Sequence, residues 1–192
     1  MDDDVLKAMQ RWPDVPAASG WLSLDARGRW LLHPHGGAND DPPEPGEPIT
    51  SPGLLAFINR NYDHDEQGRW FFQNGPQRVY LTLPAAPYIA RLAEDGVALE
   101  THNGRPITQV DEWLLDDEGN LYLRSIEHPA QIEGRDLPVL LEQLTDRLGT
   151  TLLDAVERGN DSGVLSHPVL PTAPWRQIAQ TDVSMIMGFA RH

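Results

Sequence analysis

Three stretches of the sequence share one frame and decide the fold: SLDARGRWLLHPH (residues 23–35), HDEQGRWFFQN (64–74) and LDDEGNLYLRS (115–125). In each stretch an aspartate is followed three residues later by a glycine and then by a bulky apolar run. The aspartate can accept a hydrogen bond from the backbone two residues on, and the glycine can take a positive φ without a steric penalty. This is the chemistry of a type I turn that ends in a glycine bulge, so each stretch predicts a β-hairpin.

The residues around these turns favour strands. The runs at 21–24, 30–32, 70–72 and 121–123 are aromatic and aliphatic, which suits half-buried pleated surfaces. A second repetition supports two related β-rich units, because GEPIT (46–50) returns as GRPIT (104–108). Further strands are predicted over residues 78–83, 97–101 and 110–115.

Helices are fewer. Ser51 followed by Pro52 is an N-cap with proline at the first helical position, which predicts a short helix over residues 51–61. A longer helix is predicted from Asp136, with a break or bend near Gly149, because apolar residues recur there at steps of three and four: Leu137, Leu140, Leu141, Leu144, Leu148, Leu152 and Val156. Residues 2–11 form a weaker third candidate. The predicted fold class is therefore α+β and β-hairpin-rich, with two small roll-like subdomains and two or three helices.

The expected domain organisation has three parts. Residues 1–84 form an N-terminal β-rich subdomain with the short helix, residues 85–159 a second β-rich subdomain with the closing helix, and residues 160–192 a C-terminal extension. The extension ends in WRQIAQTDVSMIMGFARH (175–192), and a segment that apolar is seldom free in water. We expect it either to pack on its own domain or to dock on a second copy of the chain.

Charge and composition restrict the function. The chain has 192 residues, with 15 lysines and arginines against 29 aspartates and glutamates, a formal net charge of −14. A protein that binds nucleic acid needs a positively charged surface, and so does one that binds an anionic membrane. Neither partner is therefore expected. Without cysteine there is no disulfide, thiolate metal site or cysteine nucleophile. An acidic N-terminal stretch without an apolar core, and the lack of any long apolar run, lead us to expect a soluble cytoplasmic protein.

The sequence resembles a family of small proteobacterial proteins of unknown function. The resemblance rests on Gly20-Trp21, on the order Gly46, Pro48-Ile49-Thr50, Pro52 and Leu54, on Asp65, Gly68-Arg69-Trp70-Phe71-Phe72, and on Glu127-His128-Pro129. It covers about half the chain, and the proline-rich insert at 39–48 and the segment after residue 159 depart from it. The resemblance implies a bacterial β-rich α+β protein with two small subdomains, and it provides no catalytic residue.

Histidines are the candidate metal ligands. His33 and His35 flank a proline, and His64 lies between Asp63 and Asp65. Imidazole and carboxylate groups suit zinc, manganese or iron, so His33, His35 and His64 define a candidate metal site. Against this reading, Asp65 is already used by its turn, and no cofactor is predicted. A metal-dependent or hydrolytic enzyme built on these histidines is the alternative function, and whether the chain is an enzyme stays open.

Six aromatic residues fall near equivalent hairpin positions: Trp21, Trp30, Trp70, Phe72, Trp113 and Tyr122. Of these, Trp30, Trp70, Phe72 and Tyr122 are the candidate binding residues. On one concave face they would bind an apolar ligand or a peptide; otherwise they are core residues. The leading interpretation is a non-enzymatic binding or interaction protein that uses its hairpin sheet and its apolar C-terminal segment. Its expected partner is a second copy through that segment, an unknown protein or a small ligand.

Overall fold

All three Asp-x-x-Gly stretches form β-hairpins in the computed structural model, which describes residues 1–192. In each turn one carboxylate oxygen of the aspartate accepts hydrogen bonds from the backbone N–H groups two and four residues on, at 2.7–3.0 Å. The glycine of each turn has a positive φ, between 72° and 84°. The hairpin prediction is confirmed, and so is the α+β fold class.

The first unit consists of Met1–Ala85 together with Gly188–His192. Its helices are α1 (Asp3–Arg11) and α2 (Pro52–Arg60), and its strands are β1 (Ala18–Leu24), β2 (Trp30–Leu32), β3 (Glu47–Pro48), β4 (Tyr62–His64), β5 (Trp70–Asn74) and β6 (Gln77–Thr82). The six strands form one mixed sheet in the order β3-β2-β1-β6-β5-β4. Only β1 and β6 run parallel. Both predicted helices of this unit are confirmed.

The second unit consists of Ala86–Met187. Its helices are α3 (Leu137–Gln143), α4 (Leu152–Glu157) and α5 (Val183–Met187), and its strands are β7 (Tyr88–Leu92), β8 (Leu99–Thr101), β9 (Pro106–Ile107), β10 (Glu112–Asp116), β11 (Leu121–Arg124), β12 (Ala130–Ile132), β13 (Ser162–Leu165) and β14 (Ala173–Ile178). They form an eight-stranded mixed sheet in the order β13-β14-β10-β11-β12-β7-β8-β9. Strand β14 lies parallel to β10, so the chain after residue 159 contributes a sheet strand.

The helix predicted from Asp136 is interrupted where a break or bend was predicted, near Gly149: the structure has two short helices, α3 and α4. Between them Asp146 starts a fourth Asp-x-x-Gly turn, in which its Oδ1 accepts from Leu148 N at 2.7 Å and Thr150 N at 2.9 Å. Leu148, counted in the helical pattern, is 91% exposed at the tip of this turn. The turn aspartate competes with the helix for the local N–H groups, which explains the interruption.

The two Gly-x-Pro-Ile-Thr segments occupy matching places. Pro48 ends β3 and Pro106 begins β9, and each of these two-residue strands lies at one edge of its sheet. Proline has no N–H for a sheet ladder and is therefore confined largely to such edges. None of the five helices has the length and hydropathy needed to cross a bilayer.

Candidate functional site

An open apolar pocket of about 450 Å³ lies in the first unit. We call it the Trp21 pocket, and its lining residues are Ala18, Trp21, Leu22, Leu32, Ile49, Leu54, Ile58, Phe72, Gln77 and Val79. Ligand pockets in proteins typically have volumes of about 300–1,000 Å³ and mainly apolar walls with a few polar groups. No side chain of the lining carries a charge, and Gln77 supplies the one amide. The pocket is therefore suited to an uncharged, mainly apolar molecule.

A β-bulge in β1 brings Trp21 into this lining. Ala18 pairs with Val79 and Leu22 with Leu81, so four steps along β1 match two steps along β6. Consecutive side chains of a regular strand point to opposite faces, but here both Trp21 and Leu22 line the pocket. Bulges re-aim side chains in this way and are frequent beside functional sites.

Glycines make the bulge possible. Gly20 has a φ of 81°, and a Cβ on it would lie 2.2 Å from the carbonyl oxygen of Gly36. A Cβ on Gly36, which also has a positive φ, would lie 3.3 Å from the Trp21 ring. Only glycine at position 20 permits this close approach of two backbone segments. The Trp21 side chain is thus held against the segment that follows β2.

Helix α2 forms the opposite wall. Its Leu54 and Ile58 line the pocket with Phe72 of β5, and Phe57 packs edge-on against Phe72 at 5.4 Å between ring centroids. Three large apolar side chains of the lining remain substantially exposed: Trp21 at 45%, Leu32 at 42% and Leu54 at 42%. A ligand would remove this surface from water, which is the main driving force for apolar binding.

The structure places the four predicted binding aromatics in the core. Trp30, Trp70, Phe72 and Tyr122 are each at most 6% exposed. Of these, only Phe72 lines the pocket. The Trp30 indole donates to Asn59 Oδ1 at 2.8 Å, and the Tyr122 hydroxyl donates to Asp116 Oδ2 at 3.0 Å. Trp21 is one of the hairpin aromatics but not one of the four candidate binding residues, and Leu54 was predicted only as part of a helix. A glycine directly before Trp21 within a strand was the signal for a bulge.

The predicted metal ligands His33 and His35 lie on the segment that approaches Trp21. His33 is buried, with Nε2 2.8 Å from Ser23 Oγ and Nδ1 2.9 Å from the carbonyl oxygen of Glu44. The exposed His35 forms an ion pair with the Glu44 carboxylate. This pair raises the pKa of His35 and lowers the pKa of Glu44.

The third predicted ligand, His64, packs against Trp70 with ring centroids 4.8 Å apart and ring planes tilted by 46°. Its neighbour Asp65 accepts hydrogen bonds from Arg69 Nε at 2.8 Å and from the Tyr80 hydroxyl at 3.2 Å. The structure holds no group of three or more His, Asp or Glu side chains arranged to bind a metal ion. His33, His35 and His64 thus each contact other side chains of the same chain, and they do not form one cluster.

The apolar C-terminal segment is packed within the chain. Trp175 and Val183 are buried in the second unit, and Phe189 is buried in the first. Residues 188–192 are tied to the first unit by two backbone hydrogen bonds, from Leu83 N to Arg191 O at 2.7 Å and from Ala190 N to Gly68 O at 2.9 Å. Both large aromatic side chains of this segment, Trp175 and Phe189, are therefore covered within the chain, whereas Met185 is 75% exposed.

Comparisons with known proteins identify the family of the chain. The model of the DUF2944 family, described as "Protein of unknown function (DUF2946)", matches residues 1–192, so the chain belongs to this family. A crystal structure of a DUF1285 family protein from Silicibacter pomeroyi DSS-3 is similar over 77% of this chain and 87% of its own, with 14% identity and a TM-score of 0.48. No curated protein matches the chain.

Proposed function

We propose that this member of the DUF2944 family is a binding protein whose first unit takes a neutral, mainly apolar small molecule into the Trp21 pocket. The observation that carries the proposal is the exposure of Trp21, Leu32 and Leu54 around one pocket of ligand size. Clustered exposed apolar groups of this kind indicate an interaction site. The family itself has no described function, so the proposal depends on the geometry.

The chemistry of the lining selects the ligand. A charged group would lose its hydration in the pocket without a counter-charge, which is unfavourable. Gln77 donates its amide N–H to the carbonyl oxygen of Pro16 at 3.1 Å, so its amide oxygen is available to a ligand hydroxyl or N–H. An aromatic ring or short acyl chain with at most one polar group fits these conditions.

The C-terminal segment contributes no residue to the lining of the Trp21 pocket. Its Trp175, Val183 and Phe189 are buried within the chain, which gives no support to self-association through them. The lack of cysteine supports a reducing, cytoplasmic location as part of the same proposal.

Fluorescence of N-phenyl-1-naphthylamine, a neutral apolar dye, tests the proposal on the full chain. We expect saturable binding to the wild type, and at least about a tenfold weaker affinity for Leu54→Asp, because a carboxylate would be placed in the apolar wall. Leu153→Asp is the matched control, since Leu153 is similarly exposed (50%) on α4 of the second unit. Circular dichroism confirms that both variants fold.

Three outcomes would contradict the proposal. The first is no saturable dye binding to the wild type, and the second is an equal loss of binding in the two variants. The third concerns charge: the anionic dye 8-anilinonaphthalene-1-sulfonate should bind more weakly than the neutral one, and stronger binding would overturn the neutral ligand class.

A further inference from the structure

A cationic and aromatic cluster in the second unit is independent of the Trp21 pocket. Its members come from three places in the chain: Tyr88 from β7, His102 and Arg105 from the turn between β8 and β9, and His128 from the residues before β12. The Tyr88 ring contacts both imidazoles, with centroids 5.8 Å from His102 and 5.1 Å from His128. We call these four residues the Tyr88 cluster.

Arg105 gives the cluster its charge. Its Nη1 donates to the Tyr88 hydroxyl at 3.3 Å, and no carboxylate lies within 4.0 Å of its guanidinium. By contrast, Arg91 in the same sheet pairs with Glu133 at 2.7 Å. Arg105 therefore keeps a guanidinium that an external anion can bind.

The two histidines do not neutralise the positive charge of Arg105, and they add polar groups to the cluster. Burial and the nearby positive charges of Arg91 and Arg105 lower the pKa of His102 to about 3. Burial and Arg105 also lower the pKa of His128, against a smaller opposing effect of Glu127. Both imidazoles are neutral at pH 7, and that of His128 can offer an N–H to a ligand. Glu127, whose side chain is 78% exposed, lies 4.0 Å from His128 and is the nearest carboxylate to that ring.

We propose that Arg105, with Tyr88 and His128 beside it, forms a binding site for a small oxyanion, such as a phosphate or carboxylate group. The planar guanidinium matches the oxygens of such groups with two parallel N–H donors. The Tyr88 hydroxyl orients it, and the neutral histidine supplies a further donor. The overall charge of −14 repels anions from most of the surface. An anion should therefore bind at this site in preference to the rest of the surface, and with modest affinity.

The test is a titration of the full chain with inorganic phosphate at pH 7, followed through the imidazole nitrogen resonances of His102 and His128 by NMR. Sodium chloride at matched ionic strength is the reference. We expect saturable shifts of the His128 signals with phosphate, and at least about a tenfold weaker apparent affinity in Arg105→Gln. Arg147→Gln, at another exposed arginine of the second unit, should behave as the wild type.

A parallel titration with acetate defines the ligand class. Shifts with both anions support a general oxyanion site, and shifts with phosphate alone support a phosphate site. The proposal is overturned if neither anion shifts the signals beyond chloride, or if Arg105→Gln binds as tightly as the wild type. Because the site uses no residue of the Trp21 pocket, its failure leaves the dye-binding proposal untouched.

Discussion

Asp116 differs from the other turn aspartates because it is buried. It is 4% exposed, and its second carboxylate oxygen accepts from the Tyr122 hydroxyl at 3.0 Å and from Asn120 Nδ2 at 2.9 Å. The corresponding oxygen of Asp25 pairs with the exposed Arg29. Loss of a buried acceptor leaves its donors unsatisfied, whereas water can replace an exposed one.

We therefore predict different costs for the same substitution at two equivalent positions. Asp116→Ala should lower the free energy of unfolding by about 3 kcal/mol, and Asp25→Ala by about 1 kcal/mol. Urea unfolding of both variants measures the difference. Equal losses at the two positions would show that the turn, rather than the buried contact with Tyr122, determines the stability.

His102 predicts a pH dependence of stability. Its pKa in the folded chain, about 3, is below the ordinary value of 6.5, and burial is the largest cause. The unfolded chain then binds more protons between these two values, so stability is present above pH 6.5 and is lost as the pH falls toward 3. We expect a slope of about 1.4 kcal/mol per pH unit from this residue.

Urea unfolding between pH 6.5 and 5.5 tests this expectation, because the carboxyl groups with lowered pKa values, such as Asp95, Asp146 and Glu44, titrate below this window. His102→Gln should remove most of the slope. His128 and His167, whose pKa values burial also lowers, contribute in the same direction. A slope that is unchanged in His102→Gln would contradict the assignment.

At the scale of the element, the bulge in β1 shapes the Trp21 pocket. Gly20→Ala combines a positive φ with a Cβ that would lie 2.2 Å from a backbone oxygen. We therefore predict that it lowers the free energy of unfolding by at least about 3 kcal/mol. Gly75→Ala is the matched control in the same sheet, since Gly75 also has a positive φ, 57°, but open space around it. It should cost about 1 kcal/mol. Thermal unfolding of the two variants measures these losses of stability. Similar losses would mean that the close approach to Gly36 adds nothing to the loss at position 20.

The sequence predicted elements well where local chemistry decides them. The Asp-x-x-Gly frame identified three hairpins because its hydrogen bonds lie within five residues of one another. The same frame at Asp146 was overlooked because leucines at helical spacing surround it. The helical spacing of the leucines alone could not show that Leu148 would be exposed. The parallel pairing of β14 with β10 joins segments about sixty residues apart, and no local signal specifies it.

At the scale of the whole molecule, α+β composition could be predicted, but the path of the chain could not. The sequence showed that the C-terminal segment is apolar, yet burial of an apolar side chain is non-directional and does not name its partner. The structure assigns Trp175 to the second unit and Phe189 to the first. The Trp21 pocket was missed for a similar reason, because its walls come from β1, α2 and β5, which are brought together only by the sheet.

The return of residues 188–192 to the first unit leads to the last prediction. Phe189 is 6% exposed, and its flanking residue Ala190 donates to the backbone of Gly68. Phe189→Ala should therefore cost about 3–5 kcal/mol, with the loss confined to the first unit. Native-state hydrogen exchange should show weaker protection in β5 and β6 and unchanged protection in β10 and β11. Met185→Ala, at a side chain that is 75% exposed, should change stability by less than about 0.5 kcal/mol. Equal loss of protection in the two sheets would instead mean that Phe189 stabilises the chain as one cooperative structure.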